Sequence, residues 1–352
     1  MKYRFLTLLL LISSACAAQR WTAEKANTWY KSQPWYCGAN FQPSTAINQL
    51  EMFQAATFDA ATIDKELGMA EALGMNAMRV YLHHVAYTSD KTGFKKRLDN
   101  YLAISKKHGI KTILVFFDDC WNDEYKAGKQ PEPKSGIHNS GWVRDPGTAI
   151  RNNPDSLKML EGYVKDILNT HKNDKRVLLW DLYNEPGNSQ YFDESMPLLK
   201  SVFAWAREVK PSQPVSSGVW NWGPKFANLN KFQLENSDVI TYHHYGKPEE
   251  HQKKIDEYKA LGRPMLCTEY MARKNGSTFQ AILPLLKREN IAAINWGFVA
   301  GKTNTIFAWS SPMPGVKEPE LWFHDIYRKD GSAFNDEEVK SIKQFTGKSK
   351  RD

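Results

Sequence analysis

The sequence predicts a single-domain (β/α)8 TIM barrel of the α/β class, and three observations carry that prediction. Eight short apolar runs of strand character recur along the chain, stretches with helical spacing of apolar residues lie between them, and 352 residues exceed the roughly 250 that such a barrel needs before insertions. Strand followed by helix, eight times over, requires a parallel sheet. An open doubly wound sheet would more often place a Gly-rich phosphate turn after its first strand, and no G-x-G-x-x-G occurs. With 41% hydrophobic and 24% charged residues, the composition excludes a disordered, collagenous or coiled-coil chain.

The strand runs are YCGANF (36–41), AMRVYL (77–82), KTILVFF (111–117), VLLWDLY (177–183), PVSSGVW (214–220), DVITYHHY (238–245), PMLCTEY (264–270) and IAAINWGF (291–298). Between them, Ile63, Leu67 and Ala70 follow Asp59, and Leu157, Leu160, Val164 and Ile167 follow Asn153-Pro154, each set with the three-and-four spacing of one helix face behind a capping residue. Two connections are long, 120–152 after the third strand and 299–324 after the eighth. Both leave the carboxyl ends of strands, where a barrel carries its active site, so Trp121, His138 and Trp142 in one and Trp309 and Trp322 in the other are expected to wall a cleft.

Ahead of the barrel, Lys2 and Arg4 precede an apolar run from Phe5 to Ile12 and small residues through Ala18, the plan of a secretory signal peptide. Residues 1–18 are expected to be removed by cleavage after Ala17 or Ala18, leaving 19–352 as the catalytic domain, secreted or periplasmic. Cys16, behind Ser13-Ser14-Ala15, is an alternative lipoprotein acceptor that would tether the chain to a membrane surface. Loss of Lys2 and Arg4 lowers the formal charge from +8 to +6, with basic and acidic residues interspersed, so no nucleic-acid partner is expected. No later run approaches the roughly 18 apolar residues of a membrane span. Cys37, Cys120 and Cys267 sit in or at the ends of strand runs and read as small core residues, and the chain is expected to be a monomer.

The chemistry concentrates at two strand ends. Asn184-Glu185-Pro186 closes the fourth strand, and Thr268-Glu269-Tyr270 closes the seventh, 84 residues later, which is three βα units. Two carboxylates thus face one pocket. Hydrolysis of a sugar acetal needs such a pair, one carboxyl protonating the leaving oxygen while the other meets the positive charge at the anomeric carbon. Burial should keep the first protonated, and a cation should keep the second ionised; Arg79, at the end of the second strand, is the candidate cation.

With these residues in order the sequence resembles the clan A retaining glycosidases, and most closely glycoside hydrolase family 5, the cellulase and mannanase family. The resemblance runs from about Trp35 to Phe298 and rests on Arg79, Asn184-Glu185-Pro186, His243, Tyr245, Glu269 and Trp296. It implies that Glu185 is the general acid and base, that Glu269 is the nucleophile and that Asn184 bonds the sugar 2-hydroxyl. It further implies that Arg79 and Tyr245 hold Glu269, that His243 borders the acid and that Trp296 lies under the sugar being cleaved. Neighbours on a strand face opposite sides, so only one of His243-His244 points inward, and His243 shares a face with Tyr245. Of His83-His84, His84 is the candidate substrate contact.

The resulting expectation is a secreted retaining hydrolase of β-linked glucan, mannan or xylan, with no cofactor. Twelve tryptophans suit stacking on sugar faces, Trp121 and Trp220 among them. The long loops favour a partly closed cleft that takes short oligosaccharides or chain ends. A catalytically inactive carbohydrate-binding barrel is the alternative. No metal is expected, because adjacent histidines cannot both face one ion from a regular strand and neither H-E-x-x-H nor C-x-x-C occurs. Gly297 to Thr303 falls one residue short of a phosphate-binding loop, and no G-x-S-x-G is present.

Overall fold

A computed structural model describes residues 20–151 and 153–348. The signal-peptide segment and Cys16 lie outside the described residues. Eight strands form one parallel sheet: β1 (Cys37–Asn40), β2 (Ala77–Tyr81), β3 (Lys111–Asp118), β4 (Val177–Asn184), β5 (Val215–Ser216), β6 (Ile240–His243), β7 (Met265–Glu269) and β8 (Ala292–Asn295). Each lies within or at the end of one of the eight apolar runs. The neighbour order β5-β4-β3-β2-β1-β8-β7-β6 is that of a barrel, and β1 pairs with both β2 and β8.

The remaining seam, between β5 and β6, is held by a short bridge. Val219 pairs with Tyr242, its amide donating to the Thr241 carbonyl and its carbonyl accepting from the His243 amide. β5 is shorter than its run because the ladder breaks after Ser216 and resumes only at Val219.

Alternation along the strands separates two interiors. Met78, Val80, Leu114, Phe116, Trp180 and Leu182 pack outward into the layer beneath the helices, while Ala77, Ile113, Leu179, Leu266 and Ile294 fill the barrel floor. The helix Ala23–Lys31 plugs that floor with Ala26 and Tyr30. Asp59 caps the helix Ala60–Ala72, and Asn153 caps Pro154–His171 by accepting from two backbone amides, as their positions ahead of the apolar periodicity predict. Ile63, Leu67, Ala70, Leu160, Val164 and Ile167 are buried; Leu157 is half-buried against the same core.

Among the described residues no helix is long and apolar enough to cross a membrane. Cys37 and Cys267 are buried and unbridged in the barrel wall.

One glycine is fixed by contact. Gly38 faces Ala77 across β1 and β2, and a Cβ on it would lie 1.6 Å from the Ala77 carbonyl oxygen, an approach no side chain permits without moving the strand. Gly38→Ala is expected to destabilise the protein by about 3 kcal/mol or more, measured as a lower urea midpoint. An unchanged midpoint contradicts this packing.

Candidate active site

The carboxyl ends of the strands open into one cleft of about 650 Å³, lined by Asn184, Glu185, Tyr245, Glu269 and Trp296 together with aromatic side chains of both long loops. At β4 the backbone leaves the strand abruptly: Glu185 adopts φ 45° and Gly187 φ 85°. A left-handed glutamate is a strained conformation of the kind found where a side chain must be aimed.

Glu269 is almost fully buried and is held from three directions. Arg79 Nη1 donates to its Oε1 at 2.8 Å, Tyr81 donates to the same oxygen at 3.0 Å, and Tyr245 donates to Oε2 at 2.6 Å. Arg79 has no solvent exposure, and its other donors reach Asp181 at 2.8 Å, Asn184 Oδ1 at 2.7 Å and Asn40 Oδ1 at 2.8 Å. Burial alone would pull its pKa down, but Tyr81, Asp181 and Glu269 outweigh that and push it up.

Glu185 stands in a different environment. Burial raises its pKa above the usual carboxylate value, opposed by hydrogen bonds from the Cys120 thiol at 3.2 Å and Asn188 Nδ2 at 2.6 Å, both to Oε2, and by the charge of Arg79. His243 Nδ1 lies 2.9 Å from Glu185 Oε1 and 3.4 Å from Glu269 Oε2. Burial lowers the His243 pKa to about 4, so the ring joining the two carboxyls is neutral at pH 7. One oxygen of each glutamate and His243 Nδ1 all lie within 4.8 Å of one another.

The other expected residues divide. Asn184 reaches the cleft, its Oδ1 taken by Arg79 and its Nδ2 donating to Asp118 at 2.9 Å. Trp296 lies edge-on to Tyr81 and Trp142 at one wall of the cleft. Trp121 and Trp220 also line it, the latter tied by Nε1 to the Pro186 carbonyl. His138, Trp142 and Trp309 line it from the long loops.

His84 does not reach the cleft, and the expectation of a substrate contact there is corrected. It begins the helix His84–Ser89, its backbone amide bonds Asp145 at 2.8 Å, and its ring Nδ1 is held by the same carboxylate. Trp322 is a second correction: it is buried in the loop core, stacked on Phe334, with Nε1 on Glu318. Trp222 lies outside the cleft, bonded to Tyr258.

Three neighbours of the glutamates were not singled out as site residues by the sequence. Tyr81 sits two residues beyond Arg79 on the same face. Asp118 pairs in register with Asn184, and burial raises its pKa to about 7 against donors from Asn184, Trp142 and Cys120. Cys120, read as core, instead touches Glu185.

Among the described residues two donor groupings have spacing that could suit a metal, His83–His84–Asp145 and Glu185–His243–Glu269. In the first, His83 Nε2 bonds the Arg144 carbonyl, its Nδ1 accepts from Val85, and His84 is bound to Asp145. In the second, the three side chains engage one another and their neighbours as described.

Residues 137–292 match the family model described as "Glycosyl hydrolases family 2, TIM barrel domain", just under half of the chain and including both glutamates. The chain carries a glycosidase barrel. No curated protein matches it. Among solved structures it is similar to an endo-β-1,4-mannanase from Thermotoga petrophila (15% identity, 92% of this chain and 79% of that one, TM-score 0.59). It is similar also to a family 5 mannosidase from Rhizomucor miehei (14% identity, 90% and 94%, TM-score 0.55). A third is an exo-β-1,4-mannosidase from Opitutaceae bacterium strain TAV5 (16% identity, 89% of this chain and 59% of that one, TM-score 0.60). At such identities the likeness is one of fold.

The Cys120 thiol, itself pushed well above its usual pKa by burial, remains a protonated donor that favours the charged form of Glu185. Removing it therefore raises the Glu185 pKa. In Cys120→Ala the alkaline limb of kcat/KM on an aryl β-glycoside is expected to move upward by a few tenths of a pH unit, and Cys120→Ser to move it less. A limb that stays in place, or moves down, contradicts the contact.

Proposed function

We propose that the protein is a retaining β-glycoside hydrolase of the family 5 kind, acting by double displacement through Glu185 and Glu269. The observation that carries this is the spacing of the two carboxyls, an oxygen of each lying within 4.8 Å. Retaining enzymes set the pair about 5 to 5.5 Å apart, whereas inverting ones leave about 6.5 to 9.5 Å for a water.

In the first step Glu185, its proton held by burial, gives that proton to the glycosidic oxygen. Glu269 attacks the anomeric carbon as the carbon–oxygen bond breaks, forming a glycosyl ester. In the second step Glu185, now ionised, takes a proton from water, the water oxygen bonds to the anomeric carbon, and the Glu269 carboxylate leaves. Arg79 and Tyr245 keep Glu269 aligned and meet its returning charge. Asn184 Nδ2, which donates to Asp118 at 2.9 Å and more weakly to Cys120 Sγ at 3.5 Å, exchanges the sulfur contact for the sugar 2-hydroxyl, and Trp296 offers a ring face under the sugar. No step needs a cofactor.

The substrate is a β-linked glucan, mannan or xylan or an oligosaccharide from one of them. The similarity to mannanases and mannosidases supports testing β-1,4-mannosides first. Such substrates lie outside the cell, in keeping with the leader-like first 18 residues and a released or Cys16-tethered monomer. The intact partner sets of both glutamates count against a catalytically inactive sugar-binding barrel.

Glu185→Ala and Glu269→Ala are each expected to lose at least about a thousandfold in turnover of an activated aryl β-glycoside. Azide added to Glu269→Ala should restore product as the inverted glycosyl azide, because the small anion enters the space the carboxylate left. Activity unchanged in either variant ends this assignment.

A further inference from the structure

The two long loops are fastened to each other. Met313 N donates to the Gly136 carbonyl at 2.9 Å, Asn139 N to Thr303 at 2.8 Å, and the Ser135 hydroxyl to Val316 at 2.6 Å. Gly136 permits the approach: it adopts φ 78°, and a Cβ there would meet the Met313 carbonyl oxygen at 1.7 Å. The joined loops raise an aromatic arc, Trp121 packing on His138 and His138 on Trp309. Trp309 in turn stands 4.8 Å from the Tyr245 ring, whose hydroxyl bonds Glu269. The wall therefore begins beside the proposed nucleophile.

The opposite flank differs. A leaving group must lie beside its proton donor, and around Glu185 the cleft is lined by Asn188, Ser189, Gln190 and Trp220, which follow β4 and β5. The sugar that bonds to Glu269 lies on the other side, against Trp296 and the joined loops.

Within that wall His138 has one unused atom. Its Nδ1 faces the Phe307 carbonyl at 2.8 Å, and a carbonyl only accepts, so Nδ1 carries the proton. Burial lowers its pKa to about 4, leaving the ring neutral with Nε2 as an acceptor. His138 is 3% exposed, lines the cleft, and offers Nε2 to no donor among the described residues. A sugar hydroxyl is the donor such an atom fits.

We infer that the cleft is closed on the glycone side, so that the enzyme removes single sugars from the non-reducing end of a β-linked chain, with His138 Nε2 accepting from a hydroxyl of that terminal sugar. This rests on the retaining mechanism proposed above.

The test uses a reducing-end-labelled β-1,4-tetrasaccharide and the same compound capped by a 4,6-O-benzylidene group on its non-reducing sugar, beside an activated aryl monoglycoside. Stepwise loss of one sugar from the uncapped chain, with the capped chain at least about a hundredfold slower, is the expected result. Internal cleavage, or equal rates with and without the cap, overturns the closed end while leaving the hydrolase intact. Absence of hydrolysis of all three substrates overturns the mechanism and the inference together.

His138→Asn keeps, in Nδ2, a donor for Phe307 and places no acceptor at the Nε2 position, because its own Oδ1 is too close to the backbone to reach there. Its KM for the aryl glycoside should rise about tenfold, with kcat changed less, as fits one lost hydrogen bond. An unchanged KM removes His138 from the inference.

Discussion

The buried guanidinium of Arg79 is the constraint on which the rest of the site depends. A charge with no solvent exposure is tolerated only when it is paired and its hydrogen bonds are satisfied, because desolvation otherwise costs several kcal/mol per ion. Here the partners come from four strands: Asn40 on β1, Tyr81 on β2 itself, Asp181 and Asn184 on β4, and Glu269 on β7. The same bonds that neutralise Arg79 fix the distance between β4 and β7 across the barrel mouth. Site geometry and barrel closure are thus one problem with one solution.

From that anchor follows the division between the carboxyls. Glu269 lies on Arg79 and two tyrosine hydroxyls, whereas Glu185 has a thiol, an amide and a neutral imidazole, and burial raises its pKa. Two like side chains a few ångströms apart are thereby given unlike electrostatics, which is what a nucleophile and a proton donor in one cleft require. His243 lies between them; with its own pKa lowered to about 4 by burial, it can bond to both without adding charge.

Much of this was legible in the sequence for physical reasons. Parallel strands buried on both faces read as continuous apolar runs, so all eight could be located, and barrel geometry sends their last residues to the cleft. Asn184, Glu185, His243, Tyr245 and Glu269 stand at or just beyond such ends, Arg79 lies within β2 two residues before its last, and the structure brings them together. What escaped depends on distant contacts. His84 turns to Asp145, 61 residues away, and Trp322 is claimed by Phe334, beyond the end of its loop. Cys120 follows the third apolar run and is buried, as a core residue would be, yet the turn after β3 carries it to Glu185. Asp118 becomes visible only through its register with Asn184 on β4. Local spacing carries none of these pairings.

The loops complete what the barrel begins. Strand ends place the reacting groups, and the segments after β3 and β8, bonded to each other, wall the cleft beside Glu269. Whatever sugar enters, the central claim is that a glycosyl ester forms on one carboxylate and is then hydrolysed, two inversions in sequence. The most direct measurement is the anomeric configuration of the first-formed product, followed by proton NMR during the earliest turnover of a β-glycoside, before mutarotation. The β-anomer appearing first is the predicted result; the α-anomer appearing first would show a single displacement and contradict the mechanism.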